Sequence, residues 1–183
     1  DGIAVLNSAD FDEKQLEDKI SSIAQVDKSM LMQSTDGIAE NESENQSVSM
    51  IVPKTPENMG DYIDLVSAEN GSNLEVKSGS VIITQKLAKL LDLKTGDTIT
   101  IKLSGHEEKE FKIGGVSKNY ALHYIYITPD DFESVYGEKP VYNLSFIDLK
   151  KDTDENSFKE QLISNDEFYG ISFKNDSSRG DRK

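Results

Sequence analysis

The strongest constraint on the fold is a strand–helix–strand pattern that occurs once at each end of the chain. Near the start, a strand is predicted at 3–6, and the helix after it has one apolar face formed by Leu16, Ile20 and Ile23. A second strand is predicted at 29–33. Near the end, a strand at 142–149 precedes a second helix and a last strand of alternating apolar residues. The simplest packing places both end units in one sheet with both helices on one face.

The middle of the chain is richer in predicted strands than its ends. Apolar residues alternate over 99–103 and again over 111–113, which is typical of a hairpin with one buried face. We therefore predict an α+β fold with two lobes. Residues 1–53 and 139–183 form a lobe of two βαβ-type units, and residues 54–138 form an inserted, mostly β lobe.

Three residues are predicted to shape turns in the inserted lobe. Gly96 and Asp97 follow a leucine-rich helix that Thr84 can cap, and Gly96 suits the positive φ of a tight turn. A second helix starts at Thr128-Pro129, where threonine can cap it and proline occupies the first helical position. Gly137 is predicted to end that helix.

The charge of the chain limits its partners. Acidic residues number 34 and basic ones 20, so the net charge is −14. A field of this sign repels phosphate backbones, and no basic stripe offsets it, which argues against nucleic-acid binding. The chain has no cysteine, which excludes disulfides, thiolate metal sites and a cysteine nucleophile.

The sequence offers no constellation of catalytic residues. His106 lies in a charged loop with no second histidine at metal-ligand spacing, so we read it as a surface residue. His123 is predicted to lie in a strand on the face of Ile125 and Ile127, and no nucleophile motif accompanies it, so we read it as structural. We therefore expect no catalytic residue, and no enzyme activity.

Two further motifs fail as ligand sites. The run 152–156 imitates the start of a calcium loop, but Ser157 and Ile163 stand where glycine and glutamate are required. Asp154 is instead predicted to cap a helix. Gly114-Gly115 is followed by neither a Gly-Lys-Ser/Thr element nor a helix, so it is no phosphate loop. We expect neither a metal nor a cofactor.

A row of aromatic residues is the best candidate for a contact surface. Tyr120, Tyr124 and Tyr126 recur at the two-residue period of a strand. One interpretation is a buried core or inter-lobe face. The other is a partner-binding surface, because tyrosine provides a large contact area at low entropic cost.

The order of elements in the middle lobe resembles one known family. A strand leads to a helix containing Leu87-Ala88, then to the turn Gly96-Asp97, then to a hairpin that ends at Gly115-Val116. A strand–helix junction follows at 126–129, and 141–144 is similar to a return strand. This arrangement resembles the extracytoplasmic core domain of MacB-like, FtsX-type ABC transporter permeases of the Gram-positive type.

The resemblance implies a fold and a cellular setting. It implies a "porter" lobe of paired βαβ-like units, an inserted "sabre" lobe, and a non-catalytic role on the extracytoplasmic face of the membrane. The implied partners are the membrane-embedded remainder of the permease, its ATP-binding subunit, and extracellular peptide or protein cargo. The chain starts at Asp1 and ends in a polar tail, so we expect tethering transmembrane helices to lie outside it.

The main alternative is a free-standing extracellular binding or adaptor module. The leucine-rich helix, Gly96-Asp97 and the strand after them are also similar to segments of small β-barrels, including AbrB-type and double-psi barrels. An AbrB-like DNA binder requires a basic face, which this chain lacks. A barrel-type adaptor would lack the strand–helix–strand units at the two ends, so the structure of the ends separates the two hypotheses.

Overall fold

The chain folds into two compact units in the computed structural model, which describes residues 2–6, 13–118, 123–163 and 168–173. The terminal unit consists of Asp1–Met32 and Val141–Lys183, and the central unit is Gln33–Pro140. Among the described residues, no helix is both long and apolar enough to cross a membrane.

The terminal unit contains an antiparallel sheet and two helices. Its elements, in chain order, are β1 (Gly2–Leu6), α1 (Glu13–Ser21), the first part of β2 (Val26–Glu40), β8 (Leu144–Leu149), α4 (Glu155–Ile163) and β9 (Phe168–Phe173). The strands lie in the order β2–β8–β1–β9, and each neighbouring pair is antiparallel. This is the β-α-β-β-α-β arrangement of a split βαβ fold.

Both helices of the terminal unit pack on the same face of its sheet. Leu16 and Ile20 of α1 and Phe158 of α4 form one buried cluster with Leu31 of β2 and Ile147 of β8. The predicted lobe with its helices on one face is therefore confirmed.

The central unit is a closed barrel with short helices. Its strands are the rest of β2, then β3 (Asn45–Pro53), β4 (Val81–Thr84), β5 (Thr98–Leu103), β6 (Glu108–Ser117) and β7 (Tyr124–Tyr126). They pair in the order β3–β7–β4–β6–β5–β2, and a further β3–β2 pairing closes the ring. The pairs β3–β7 and β4–β6 are parallel, and β4–β7, β5–β6 and β2–β5 are antiparallel.

The barrel is filled by side chains from alternate positions of its strands. They belong to one buried cluster, which includes Ala39, Met50, Ile83, Ile101, Ile113 and Ile125. The helices α2 (Gln85–Leu91) and α3 (Pro129–Tyr136) add Leu87, Leu91 and Phe132 to this cluster. The predicted mostly β second lobe is confirmed.

The strand β2 is much longer than the sequence suggests. We predicted a strand only at 29–33, whereas β2 pairs with β8 through Met32 and with β5 from Gly37 onwards. Residues 33–53, which the sequence analysis placed with the two ends, therefore lie in the central unit, because β2 and β3 supply two of the barrel strands.

Two of the three predicted turn residues, Gly96 and Gly137, have left-handed backbone conformations, and the third, Asp97, accepts hydrogen bonds. The α2 helix ends in Asp92, which itself has a φ of 53°, and Gly96 follows with a φ of 97°. Asp97 Oδ2 accepts a bond from the Lys94 N–H at 3.0 Å, and the Asp97 carbonyl accepts one from the Ile113 N–H at 2.8 Å. Gly137 ends α3 with a φ of 72°.

Candidate contact surface

The tyrosines of β7 do not form one exposed row. Tyr124 and Tyr126 contact each other edge to face, with ring centroids 6.1 Å apart. Tyr120 lies outside the described residues. Tyr126 is only 3% exposed, whereas Tyr124 is half-buried. Of the described tyrosines in this row, Tyr124 therefore presents more surface to a partner.

Tyr126 belongs to a buried layer on the outer wall of the barrel. It is paired with Ile51 of β3 and Ile82 of β4, and all three side chains are buried. The alternate residue Ile125 points into the barrel core. Burial raises the pKa of Tyr126, and its neighbour Tyr124 raises it further. Tyr126 therefore acts as a packing residue of this wall.

The start of β7 is held by strands on both sides. The Tyr124 N–H donates to Thr84 Oγ1 at 3.1 Å, and the Ser49 N–H donates to the His123 carbonyl at 3.0 Å. The sequence analysis assigned Thr84 as the cap of α2, but its hydroxyl makes no capping bond and supports β7 instead. Burial also raises the pKa of Tyr124.

Two polar residues lie just beyond the paired residues of β4 and β7. His123 directly precedes β7, and Gln85 is the first residue of α2, which directly follows β4. Each has one buried polar atom without a hydrogen-bond partner among the described residues, Gln85 Oε1 and His123 Nδ1. The sequence analysis predicted the face of His123 but found no role for Gln85.

Burial lowers the pKa of His123, and the positive charge of Lys86 lowers it further. Both effects disfavour the imidazolium form, so His123 is neutral near pH 7. A neutral imidazole presents one nitrogen as a donor and the other as an acceptor. His123 can therefore serve a polar partner in either sense.

His123 is expected to make the central unit less stable in mild acid. Its folded-state pKa lies below the ordinary value of 6.5, so the unfolded chain takes up the proton first as the pH falls. The contribution of neutral His123 to the unfolding free energy is fully present above about pH 6.5. It is lost as the pH falls towards the pKa of His123 in the folded state. Urea unfolding of wild type and His123→Phe between about pH 8 and about pH 5 measures how much unfolding free energy each loses on acidification.

His123→Phe should lose less unfolding free energy than wild type over this interval. Lys86→Gln removes only the effect of the Lys86 charge on the pKa of His123. Its loss of unfolding free energy should lie between those of wild type and His123→Phe. Parallel pH profiles for wild type and His123→Phe would show that His123 does not titrate differently on folding.

His106 is a bonded residue of the barrel rather than a free surface histidine. Its Nε2 lies 2.6 Å from Glu138 Oε1, its Nδ1 lies 3.0 Å from the Ser104 carbonyl, and its side chain is 25% exposed. The ring also packs edge to face on Tyr136, with centroids 4.9 Å apart. His106 thus connects the β5–β6 hairpin to the end of α3.

The two motifs rejected as ligand sites have structural roles. Asp154 begins α4 by accepting bonds from the Asn156 N–H at 3.0 Å and the Ser157 hydroxyl at 2.9 Å, and these bonds lower its pKa. A Cβ on Gly114 would lie 2.2 Å from Ser80 Oγ, and one on Gly115 would lie 2.9 Å from the Leu74 side chain. Both glycines therefore let the segment before β4 lie close to β6.

The described residues contain no group of three or more histidine or acidic side chains placed to hold a metal ion. The surface beside Tyr124 combines one half-buried aromatic ring with several hydrogen-bonding groups. Such a surface is suited to contact with another molecule.

Comparison with known proteins gives matches to structures only. No family model matches the sequence, and no curated protein sequence matches it. The periplasmic region of MacB from Actinobacillus actinomycetemcomitans is similar over 100% of this chain and 92% of its own, with a TM-score of 0.56 and 12% identity. The extracellular domain of the noncanonic ABC-type transporter YknZ from Gram-positive bacteria matches 93% of this chain and 97% of its own, with a TM-score of 0.53 and 15% identity.

These matches cover nearly the whole of both molecules. They confirm, for the fold, the resemblance to MacB-like extracytoplasmic domains that the order of elements suggested. At such low identity the likeness concerns the fold, and function has to be argued separately.

Proposed function

We propose that this chain is the extracytoplasmic domain of an ABC transporter permease, which contacts a partner or cargo outside the membrane and transmits conformational change. The observation that carries the proposal is the similarity of the entire chain to the MacB periplasmic region. The chain segments that form the terminal unit add support, because strands from both ends of the chain pair in a single sheet. A domain inserted between two membrane segments needs its ends in one unit.

The proposed role is non-catalytic. Among the described residues, the two histidines have structural surroundings, and no acidic cluster is arranged for a metal. Conformational change in such a transporter is driven by ATP, and the sequence has no phosphate-binding loop. The proposed partners are therefore the membrane-embedded remainder of the permease and an ATP-binding subunit, and the charge of −14 argues against nucleic acid.

The surface beside Tyr124 is the proposed point of contact with extracellular peptide or protein cargo. Tyr124 is half-buried and held in place at its backbone by Thr84. Its ring also packs edge to face on Tyr126, and a ring held by such a contact loses little entropy when a partner covers it. Ser49 pairs with Tyr124, and the charge of the exposed Lys86 acts on the adjacent residue His123. Tyr120 remains a predicted member of this surface.

The closed barrel of the central unit is the observation that favours a free-standing binding module. A module of that kind does not need the terminal unit, yet this unit has its own buried core, formed by both ends of the chain. We therefore prefer the permease domain.

Labelling of single cysteines tests the proposed location. The chain has no cysteine, so Ser43→Cys introduces a unique thiol at an exposed turn. In whole cells that produce the full-length protein, a membrane-impermeant maleimide should label this thiol without permeabilisation. Ser145→Cys is the matched control, because Ser145 is 0% exposed and should react only after denaturation.

Labelling of Ser43→Cys only after the cells are opened would place the domain in the cytoplasm and refute the proposal. Co-purification of an ATP-binding subunit with the full-length protein then separates a permease domain from a free-standing extracellular module.

A further inference from the structure

The turn between β5 and β6, residues 104–107, contacts both chain segments through which the central unit joins the rest of the chain. The central unit is Gln33–Pro140. The Ser104 N–H donates to the Asp36 carbonyl at 3.0 Å, shortly after the chain enters this unit. His106 Nε2 lies 2.6 Å from Glu138 Oε1, shortly before the chain leaves it. One turn therefore holds the incoming and the outgoing segment.

The two contacts of the His106 ring require a hydrogen on each of its nitrogens. Nδ1 lies 3.0 Å from the Ser104 carbonyl, and a carbonyl oxygen can only accept a hydrogen bond. Nε2 faces the side chain of Glu138, and an ionised carboxylate also only accepts. A neutral imidazole carries one hydrogen, so it can donate to one of these acceptors but not to the other. Both bonds therefore exist together only in the imidazolium form.

The other groups around His106 do not compete with Glu138 for the ring. Tyr136 packs on it edge to face, and burial raises the pKa of the Tyr136 hydroxyl to about 12, so this neighbour is neutral near pH 7. The ammonium of Lys102 donates to the backbone carbonyl of His106 at 2.9 Å. Glu107, the next residue, is exposed. Among the described residues, Glu138 is the only charged side chain bonded to the ring.

We propose that the turn 104–107 is a proton-dependent clasp, which holds the incoming and outgoing segments of the central unit together while His106 is charged. When the ring loses its second proton, Nε2 and the carboxylate of Glu138 face each other as two acceptors, and the outgoing segment is released. An influence of the clasp on the transmission of conformational change rests on the proposed function, whereas the clasp itself does not.

Nuclear magnetic resonance of the isotope-labelled chain, between about pH 5 and about pH 9, tests the clasp across the ordinary titration range of imidazole. At the acidic end, both ring nitrogens of His106 should give the signals of protonated nitrogen. Amide hydrogen exchange, corrected for the direct effect of pH on exchange, follows the two segments through Ser104 and Gly137. Their protection should fall at least about tenfold as the ring loses its proton, since hydrogen bonds between charged groups are the stronger ones.

Glu138→Gln separates the proton-dependent clasp from an ordinary contact. Its side-chain amide can donate to an unprotonated Nε2 and accept from a protonated one, so the protection of the two amides should be equal at both ends of the pH range. Glu107→Gln is the matched control, because it removes an exposed carboxylate from the same turn and should keep the pH dependence of wild type. His106→Phe keeps an aromatic ring beside Tyr136 and should lower the protection at every pH.

Protection that does not depend on pH in wild type, or a pH dependence that is unchanged in Glu138→Gln, would overturn the proposal. Ring signals of a neutral His106 at a pH where the two amides are still fully protected would also overturn it. These outcomes are independent of cysteine labelling, so the clasp can fail while the extracytoplasmic location holds.

Discussion

Truncation of Phe158 to alanine is expected to unfold the terminal unit while the barrel stays folded. Phe158 of α4 is 0% exposed and belongs to one buried cluster with residues of α1 and of the sheet. Phenylalanine-to-alanine changes in a core remove about 3–5 kcal/mol of unfolding free energy, which is a large part of the stability of a small domain. The described core of the barrel contains no part of α4, so the loss should remain local.

Amide hydrogen exchange measures this selectivity residue by residue. In Phe158→Ala, the amides of β8 should lose protection, and those of β5 and β6 should keep it. Phe132→Ala is the reciprocal variant, because Phe132 is 2% exposed and belongs to the barrel core. It should lose protection in β5 and β6. Equal loss of protection in both units of either variant would contradict two separately packed units.

Local chemistry made the elements of both units predictable. Thr128 accepts a bond from the Asp131 N–H at 3.1 Å, as the threonine-proline start of α3 predicted. Ile99 pairs with Phe111 in the predicted hairpin. Such features depend on residues that are close in sequence, so their patterns are readable without the fold.

Closure of the barrel was not predictable, because it depends on pairings between distant residues. Met50 pairs with Ile125, and Ile82 pairs with Gly115, both in parallel strands. A parallel pair leaves no turn signature between its strands. The length of β2 was missed for the same reason, since its second half is defined by pairing with β5.

The candidate site shows the same limit. Alternation along β7 gave the correct face for Ile125, but it could not reveal that Tyr126 is buried between Ile51 and Ile82. Single-sequence patterns therefore located the strand that carries the site but not the neighbours that define its chemistry.

Replacement of Gly37 by alanine is expected to weaken the seam between β2 and β5. Gly37 pairs with Leu103. A Cβ at this position would lie 2.8 Å from the Lys102 carbonyl oxygen and 2.9 Å from Leu103 Cδ2. The carbonyl belongs to the backbone of β5 and cannot rotate away, so the strands have to separate locally. Overpacking of this kind costs about 1–3 kcal/mol of unfolding free energy.

Gly60→Ala provides the matched control, because a Cβ on Gly60 meets nothing within 4 Å. Its effect on the unfolding free energy should stay within about 0.5 kcal/mol. Urea unfolding of the two variants beside wild type gives both values. If Gly37→Ala is as stable as Gly60→Ala, the close approach of β2 to β5 is not required, and glycine at position 37 is unrelated to closure of the barrel. If only Gly37→Ala loses unfolding free energy, glycine is required at this position for β2 to pair closely with β5.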